Sequence, residues 1–301
     1  MPAVATSQPP APIVEPATDR LFTTQISSYS LGDEGGTVKY RLHIPAAAVS
    51  GMNTRAWPLL VWLHGFGEAG DDNISHIRWL NLLFRRTDSE GPLPCFVMAY
   101  QCPYERRMWS DGPPSAQPLT VAKAIVDEII EKHAIDRDRI YLSGVSSGGT
   151  GCWEMLERYP TLFAAAVPLA SAGSPSSEVS VIVDVPIWAF HTRDDPGTDV
   201  NQVRETVARL QAIGGKAYLT QTPGDTHDCW NAAFKDFHFV DWLLMQRKGS
   251  TSTEPNYATL TNRARLIKQD VLATGPQYYL PVPAAAICLY WWMRRRYRKR
   301  T

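Results

Sequence analysis

The chain has 301 residues, of which 44% are hydrophobic and 20% charged, so it can bury a sizeable core and is not a disordered protein. Thirty basic and thirty acidic side chains give a formal net charge of zero, but six of the basic ones lie in residues 294–300. Residues 1–293 therefore carry 24 basic and 30 acidic side chains, a net charge of −6, which excludes a nucleic-acid-binding protein.

The first residues and the cysteines restrict the class of protein further. Residues 1–19 are rich in proline and predict a disordered leader without chemistry of its own. They contain no basic segment followed by an apolar run, so we expect no secretory signal peptide; the location stays open, with the cytoplasm as the default. The five cysteines lack C-x-x-C or histidine-rich spacing, so we expect buried thiols and neither a disulfide framework nor a metal site.

Residues 20–248 form the predicted folded domain. Apolar runs of strand length alternate there with stretches of helical period, which predicts an α/β domain whose mostly parallel central sheet has helices on both faces. Apolar residues at helical spacing predict covering helices around residues 122–130 and 200–210, and further helices over Ser147–Arg158 and Trp230–Met245. The predicted strands are Val38–Ile44, Leu59–Leu63, Phe96–Tyr100, Ile140–Ser143, Ala164–Leu169, Ile187–Phe190 and Ala217–Thr220.

The C-terminal part has a different composition. Residues 249–277 predict a linker followed by a polar helix over Tyr257–Leu272. The apolar run Tyr278–Met293 spans 16 residues, and as a helix it would reach only about 24 Å, short of a hydrocarbon core of about 30 Å. Two interpretations stay open for residues 278–301: membrane contact, with the arginines on anionic lipid, and a tail that docks or frays.

The segment Gly144-Val-Ser-Ser-Gly148 fits the pattern G-x-S-x-G between a predicted strand and a predicted helix. In that context the turn is so tight that the serine is strained, and the flanking glycines allow neighbouring chains to approach. The serine hydroxyl then stands at the positive end of the helix, where developing negative charge is stabilised. Ser146 is therefore the candidate nucleophile; the alternative is a glycine-rich turn with a capping serine.

A serine hydroxyl needs a general base, and in this architecture the order along the chain is serine, acid, histidine. Only His191, His227 and His238 follow Ser146. His238 falls inside a predicted helix and His191 ends a strand, where a structural role is expected. His227 lies in a turn-rich loop after the last apolar strand, so it is the candidate base.

The acid that orients the imidazole should follow the strand before that loop. The segment from His191 to Pro196 offers Asp194 and Asp195. We favour Asp195, because a residue before proline is biased to extended geometry and would project its side chain over the end of the sheet. Asp194 stays the alternative.

Acyl transfer also requires hydrogen-bond donors for the oxyanion. The Ser147 amide is one candidate. The second is the Phe66 amide, because Gly65 and Gly67 allow a turn after the strand Leu59–Leu63 that would aim it into the site. The alternative for this segment is a turn that merely ends the strand.

Taken together, these segments resemble the α/β-hydrolase fold, and within it the predicted-peptidase and phospholipase/carboxylesterase-like esterases related to dienelactone hydrolases. The resemblance covers roughly Val38–Leu244 and implies Ser146, Asp195 and His227 as a catalytic triad, with Phe66 and Ser147 as oxyanion donors. It rests on five ordered blocks: His64-Gly-Phe-Gly-Glu-Ala-Gly-Asp-Asp-Asn73, Gln101-Cys-Pro103 with Trp109 after it, Tyr141-Leu-Ser-Gly-Val-Ser-Ser-Gly-Gly149, Phe190-His-Thr-Arg-Asp-Asp-Pro196 and His227-Asp-Cys-Trp230.

Two positions depart from that group. Ser147 stands where methionine is common, which makes the pocket wall more polar, and Thr192 stands where glycine is usual, which affects the shape of the acid loop. The tail lies outside the resemblance.

The combined prediction is a serine hydrolase of the carboxylesterase type that cleaves a small-molecule ester through an acyl-enzyme, without metal or organic cofactor. Trp109 and Trp230 are candidates for an aromatic substrate pocket, whereas Trp153 is expected to pack in the core. One alternative is a peptidase similar to prolyl oligopeptidases. Another is a binding protein that keeps the hydrolase fold without catalysis.

Overall fold

The computed structural model describes residues 24–30, 37–45, 48, 56–84, 93–103, 108–112, 117–176, 178–235, 239–250 and 255. The predictions for the leader, residues 1–19, for the helix Tyr257–Leu272, for the segment 278–301 and for His238 lie outside these residues. No helix within the described ranges has the length and apolar character needed to cross a membrane.

Eight strands of the described chain form one sheet in the order β1-β2-β4-β3-β5-β6-β7-β8. β1 and β2 pair with each other, and β2 pairs with β4, in antiparallel orientation, whereas every pair from β4 to β8 is parallel. The strands are β1 (Thr24–Ser30), β2 (Thr37–His43), β3 (Trp57–Leu63), β4 (Phe96–Tyr100), β5 (Ile135–Val145), β6 (Ala165–Leu169), β7 (Ile187–Thr192) and β8 (Ala217–Thr222).

Each of the seven predicted strands overlaps an observed one, and two details differ. β1 was not predicted: its residues Thr-Gln-Ile-Ser-Ser-Tyr-Ser are largely polar, and it lies at the edge of the sheet, paired on one side with β2. β5 begins five residues before the predicted start, in a charged segment that joins the sheet through the pairing of Ile135 with Trp57. Polar edge segments carry little of the apolar signal on which strand prediction depends.

Six α-helices of the described residues pack against this sheet: α1 (Leu80–Phe84), α2 (Pro118–Lys132), α3 (Ser147–Arg158), α4 (Val200–Ala212), α5 (Trp230–Lys235) and α6 (Phe239–Met245). The predicted helix over Trp230–Met245 corresponds to α5 and α6, with residues 236–238 between them not described. The helices α2, α3 and α4 cover one face, whereas α1, α5 and α6 cover the other.

The alternation of side chains along β3 shows why the sheet needs both layers. Leu59, Val61 and Leu63 belong to the apolar cluster beneath α2, α3 and α4, while Leu60 and Trp62 belong to the cluster on the opposite face. All five side chains are buried. A strand that is apolar on both sides is therefore stable only between two layers of helices.

The register of the parallel strands brings their carboxyl ends to one edge of the sheet. Leu63 pairs with Gly144, Val145 with Leu169, and Phe190 with Leu169. The loops that follow β3, β5, β7 and β8 leave the sheet at this edge, where ligand sites of open α/β sheets are found. They carry the predicted oxyanion loop, nucleophile, acid and base, in that order.

Candidate active site

The turn between β5 and α3 holds Ser146 in a strained conformation. Its φ and ψ are 58° and −120°, a region that non-glycine residues rarely adopt. The backbone is held on both sides, because the Ser146 amide donates to the Leu169 carbonyl at 2.9 Å and its carbonyl accepts from the Thr150 amide at 3.0 Å. Ser146 precedes the first helical residue, so its side chain stands at the positive end of α3.

The glycines of the G-x-S-x-G pattern are required by backbone contacts across the turn. A Cβ atom at Gly144 would lie 2.6 Å from the Gly148 carbonyl oxygen, and one at Gly148 would lie 2.1 Å from the Leu63 carbonyl oxygen. Neither backbone can yield without moving β3 or α3. The two glycines thus allow the helix to start directly against the end of β3.

His227 connects the candidate nucleophile with the candidate acid. Its Nε2 lies 2.8 Å from the Ser146 Oγ, and its Nδ1 lies 2.8 Å from both carboxylate oxygens of Asp195. An ionised carboxylate only accepts hydrogen bonds, so Nδ1 carries the proton and Nε2 presents a lone pair to the serine hydroxyl. The structure thus brings the three predicted side chains into one hydrogen-bonded chain.

The Asp195 side chain is fully buried and is supported by its own loop. Its Oδ1 accepts from the Gly197 amide at 2.7 Å and from the Thr198 amide at 3.2 Å, and its Oδ2 accepts from the Thr198 hydroxyl at 3.1 Å. Burial opposes ionisation, but the hydrogen bonds from Gly197, His227 and Thr198 outweigh it and hold the pKa of Asp195 below its usual value. Asp194 is exposed, so of the two candidate acids it is Asp195 that reaches His227.

His191 lies behind the acid loop, completely buried. Its Nδ1 donates to the Thr192 carbonyl at 2.8 Å, and its Nε2 lies 3.0 Å from the Thr198 hydroxyl. Burial lowers the pKa of His191, with the Thr192 carbonyl and Asp195 partly offsetting it, so the ring is neutral near pH 7. The Thr198 Oγ1 thus lies between the His191 ring and the Asp195 carboxylate, and its single hydrogen can be donated to only one of them at a time. The structural role of His191 stays a prediction.

Thr198 and Gly197 are site residues that the sequence analysis did not single out. Thr198 supplies a hydroxyl to Asp195, and a Cβ atom at Gly197 would lie 2.9 Å from the His227 Nδ1. Their position two and three residues after the acid was the available signal, since residues at these positions often donate their amides to an aspartate side chain.

The two predicted oxyanion residues belong to segments that meet at Ser146. Phe66 opens a short 3-10 helix, Phe66–Glu68, directly after β3, and a Cβ atom at the preceding Gly65 would lie 3.4 Å from the Ser146 Cβ. Ser147 is the first residue of α3, where an amide N–H has no partner within the helix. The oxyanion role of both amides stays a prediction.

The tryptophans expected at the pocket divide into two kinds. Trp109 is only 1% exposed, its Nε1 donates to the His64 carbonyl at 3.1 Å and its ring packs 5.1 Å from the His64 ring, so it supports the loop after β3 rather than forming a pocket surface. This corrects the expectation for Trp109. Trp230 meets the His227 ring edge-on at 5.7 Å, and its buried Nε1 has no hydrogen-bond partner among the described residues. Trp153 is buried, as expected, and donates to the Ser171 hydroxyl at 3.0 Å.

A second histidine fixes the loop that carries Phe66. The His64 Nδ1 donates to the Gly65 carbonyl at 2.7 Å, and its Nε2 accepts from the Cys102 amide at 2.9 Å. Each nitrogen of the neutral His64 ring thus has a hydrogen-bond partner. Burial lowers the pKa of His64 to about 4, although the Gly65 carbonyl and Asp72 partly offset it.

The described cysteines take no part in this arrangement. Cys95, Cys102, Cys152 and Cys229 are buried free thiols, and burial raises the pKa of Cys152 and of Cys229. Cys288 lies outside the described residues. No group of three or more histidine, cysteine, aspartate or glutamate side chains within the described ranges is arranged to hold a metal ion.

The sheet order and the serine at the turn after β5 define an α/β-hydrolase. More particularly, residues 38–209 match the model of the family described as esterase PHB depolymerase, and the chain belongs to that family. A solved thermostable esterase is 32% identical with a TM-score of 0.66, over 75% of this chain and 63% of that one. The prediction of an α/β-hydrolase fold is thereby confirmed.

Two further relatives are more distant. The NocK protein of Nocardia uniformis subsp. tsuyamanensis is 26% identical over 189 residues, which are 60% of this chain and 52% of NocK. The S-formylglutathione hydrolase FrmB of Staphylococcus aureus has a TM-score of 0.58 at 15% identity, over 74% of this chain and 98% of that one, and shares the fold. The chain thus spans about half the length of the curated relative that it matches.

Proposed function

We propose that the protein is a serine carboxylesterase that hydrolyses a small-molecule ester through an acyl-enzyme. The observation that carries the proposal is the hydrogen-bonded chain from Ser146 through His227 to Asp195, in which each donor–acceptor distance is 2.8 Å. Membership of the esterase PHB depolymerase family supports the class of substrate.

In the first half-reaction Ser146 attacks the ester carbonyl carbon while the His227 Nε2 accepts the hydroxyl proton. The imidazolium that forms is stabilised by the Asp195 carboxylate, whose pKa is held below its usual value by its hydrogen bonds. The carbonyl oxygen gains negative charge, and the amides of Phe66 and Ser147 are the donors that we assign to it. The positive end of α3 favours the same charge.

His227 then donates its proton to the leaving alcohol, which departs and leaves Ser146 acylated. A water molecule takes the place of the alcohol, and it attacks the acyl carbon while His227 removes its proton. The bond to the Ser146 Oγ then breaks, His227 returns the proton to that oxygen, and the carboxylic acid is released. Every proton in this cycle is transferred by Ser146, His227 or the substrates. The proposed mechanism therefore requires no metal or organic cofactor.

We assign Trp230 to the substrate side of His227. The Trp230 ring packs against the imidazole, so the leaving alcohol that His227 protonates would contact the apolar surface of this ring.

The test is hydrolysis of p-nitrophenyl acetate and butyrate by the wild type, by Ser146→Ala and by Ser180→Ala. Ser180 is an exposed serine at the start of a separate 3-10 helix, Ser180–Ile182, and controls for removal of a hydroxyl. We expect Ser146→Ala to lower kcat by a factor of about 10⁴ to 10⁶ and Ser180→Ala to retain activity. In parallel, a fluorophosphonate probe should label the wild type on the peptide that contains Ser146.

Two results would contradict the proposal. An inactive and unlabelled wild type would exclude a serine hydrolase and favour a binding protein. Faster cleavage of aminoacyl anilides than of esters would favour a peptidase instead.

A further inference from the structure

The Glu68 carboxylate lies in the loop after β3 and uses both of its oxygens as acceptors. Its Oε2 accepts from the Gly65 amide and its Oε1 accepts from the Trp79 indole N–H, each at 2.6 Å. The backbone of Glu68 is held as well, since its carbonyl accepts from the Gln101 side chain at 3.0 Å. The esterase mechanism proposed above assigns no task to this carboxylate.

The hydrogen bonds of Glu68 fix both peptide groups next to Gly65. The amide of Gly65 is held by the Glu68 side chain, and the carbonyl of Gly65 accepts from the Glu68 amide at 3.1 Å and from the His64 Nδ1 at 2.7 Å. That carbonyl and the Phe66 N–H belong to one planar trans peptide group and point in opposite directions. Fixing the Gly65 carbonyl therefore fixes the direction of the Phe66 N–H.

The same glycine separates the carboxylate from the proposed nucleophile. A Cβ atom at Gly65 would lie 3.2 Å from the Glu68 Oε2 and 3.4 Å from the Ser146 Cβ. The chain at Gly65 therefore passes close to both groups, just before the short 3-10 helix begins.

Trp79 extends this connection to the base. Its ring lies 5.0 Å from the Trp230 ring, which in turn meets the His227 ring at 5.7 Å. The Glu68 carboxylate thus joins the loop of Phe66 to the aromatic wall beside His227.

We propose that Glu68 is a positioning residue for the oxyanion site: it accepts the Gly65 and Trp79 N–H groups and thereby holds the Phe66 amide toward the developing oxyanion. The inference rests on the proposed esterase function. A negative charge so close to an oxyanion is unfavourable by itself, which gives the proposal a clear alternative. If charge repulsion were the larger effect, removing the charge would raise kcat; because positioning is the larger effect, removing an acceptor lowers it.

The test compares Glu68→Gln with Asp71→Asn. Glutamine keeps the shape of the side chain, but its NH₂ group must face one of the two N–H donors, so one hydrogen bond is lost. Asp71 lies three residues further along the same loop, exposed, and its substitution removes the same charge without a buried partner. Loss of one oxyanion donor lowers kcat by a factor of about 10² to 10³. Glu68→Gln only weakens the position of such a donor, so we expect it to lower kcat by at least about 10-fold and at most by that factor.

The readout must separate positioning from general damage to the fold. We expect KM for p-nitrophenyl butyrate to change by less than about 2-fold, and the affinity for a trifluoromethyl ketone, which forms an oxyanion on the serine, to fall by the same factor as kcat. Each variant is assayed at least about 10 °C below its own Tm, against the wild type at the same temperature. Trp79→Phe keeps the ring but removes one donor, so it should give a smaller loss of kcat than Glu68→Gln.

The outcomes are distinct. With an active wild type, equal or higher kcat in Glu68→Gln than in Asp71→Asn overturns the inference, and so does a fall in kcat without weaker binding of the ketone. A larger loss in Trp79→Phe than in Glu68→Gln would also overturn it, because the aromatic wall would then control the site. A wild type that hydrolyses no ester overturns the proposed function instead.

Discussion

Substitution of Gly197 by alanine tests the proposed contact between the acid loop and the base. A Cβ atom at this position would lie 2.9 Å from the His227 Nδ1, 3.1 Å from its Cγ and 3.2 Å from its Cε1. Ordinary van der Waals contact begins at 3.4 Å, so the imidazole must move by about 3.4 − 2.9 = 0.5 Å. The ring is the group that yields, because the alanine Cβ is fixed to the backbone.

This displacement is large compared with the tolerance of the hydrogen bonds that it affects. His227 is held between Ser146 and Asp195 at 2.8 Å on each side, so a shift of half an ångström takes at least one of these bonds beyond its normal range. A catalytic group that is misplaced by about 1 Å can lower the rate by about 10²-fold, so a displacement of about half that size corresponds to about a 10-fold loss. We therefore expect kcat/KM to fall by about 10- to 100-fold.

The stability of the variant should change little. Gly197 is not among the described glycines with positive φ, so alanine needs no strained backbone, and it lowers the entropy of the unfolded chain. The measurement is kcat/KM for p-nitrophenyl butyrate together with Tm. An unchanged kcat/KM would refute the steric reasoning, and a fall in Tm that accounts for the lost activity would show that the loop, rather than His227, had given way.

Two further predictions concern the choice of acid and the stability at low pH. Asp195→Asn should lower kcat by about 10⁴-fold through the wrong tautomer of His227, whereas Asp194→Asn should stay within about 2-fold of the wild type; the reverse ranking would reassign the acid. The pKa of His64 is about 4 in the folded chain, whereas an unperturbed histidine has a pKa of 6.5, so between these values the unfolded chain binds the proton and the folded chain does not. The stability due to neutral His64 is therefore complete above pH 6.5 and decreases as pH falls toward 4. Urea unfolding should show that His64→Asn reduces the slope of the unfolding free energy in this window by about 1.4 kcal/mol per pH unit, and an unchanged slope would contradict the assignment.

The sequence carried the local features of the site. Gly144 and Gly148 are spaced so that β3 and α3 can approach Ser146, and that requirement depends on residues close together in the chain. The order of serine, acid and histidine also follows from the sequence, because consecutive strands of a parallel sheet deliver their loops to the same edge.

Residues whose roles depend on contacts between distant segments were less accessible. Trp109 was expected at the pocket, but the folded chain places its ring against His64, 45 residues earlier. Glu68 appeared in the sequence only as one residue of the segment His64–Asn73, and no role was predicted for it. Its hydrogen bond to Trp79 joins residues eleven positions apart that do not share a regular helix or strand. No periodicity predicts such a contact.

The amino-acid sequence by itself determined the α/β class, seven of the eight strands and the serine, histidine and acid loops, because apolar period and glycine spacing act over a few residues. Only the tertiary structure shows that Asp195, rather than Asp194, lies within hydrogen-bond distance of His227, and that Gly197 lies against the same ring. Those outcomes depend on distances of a few tenths of an ångström between loops about 30 residues apart, which are set by the register of β7 with β8 and by the packing of the helices over them.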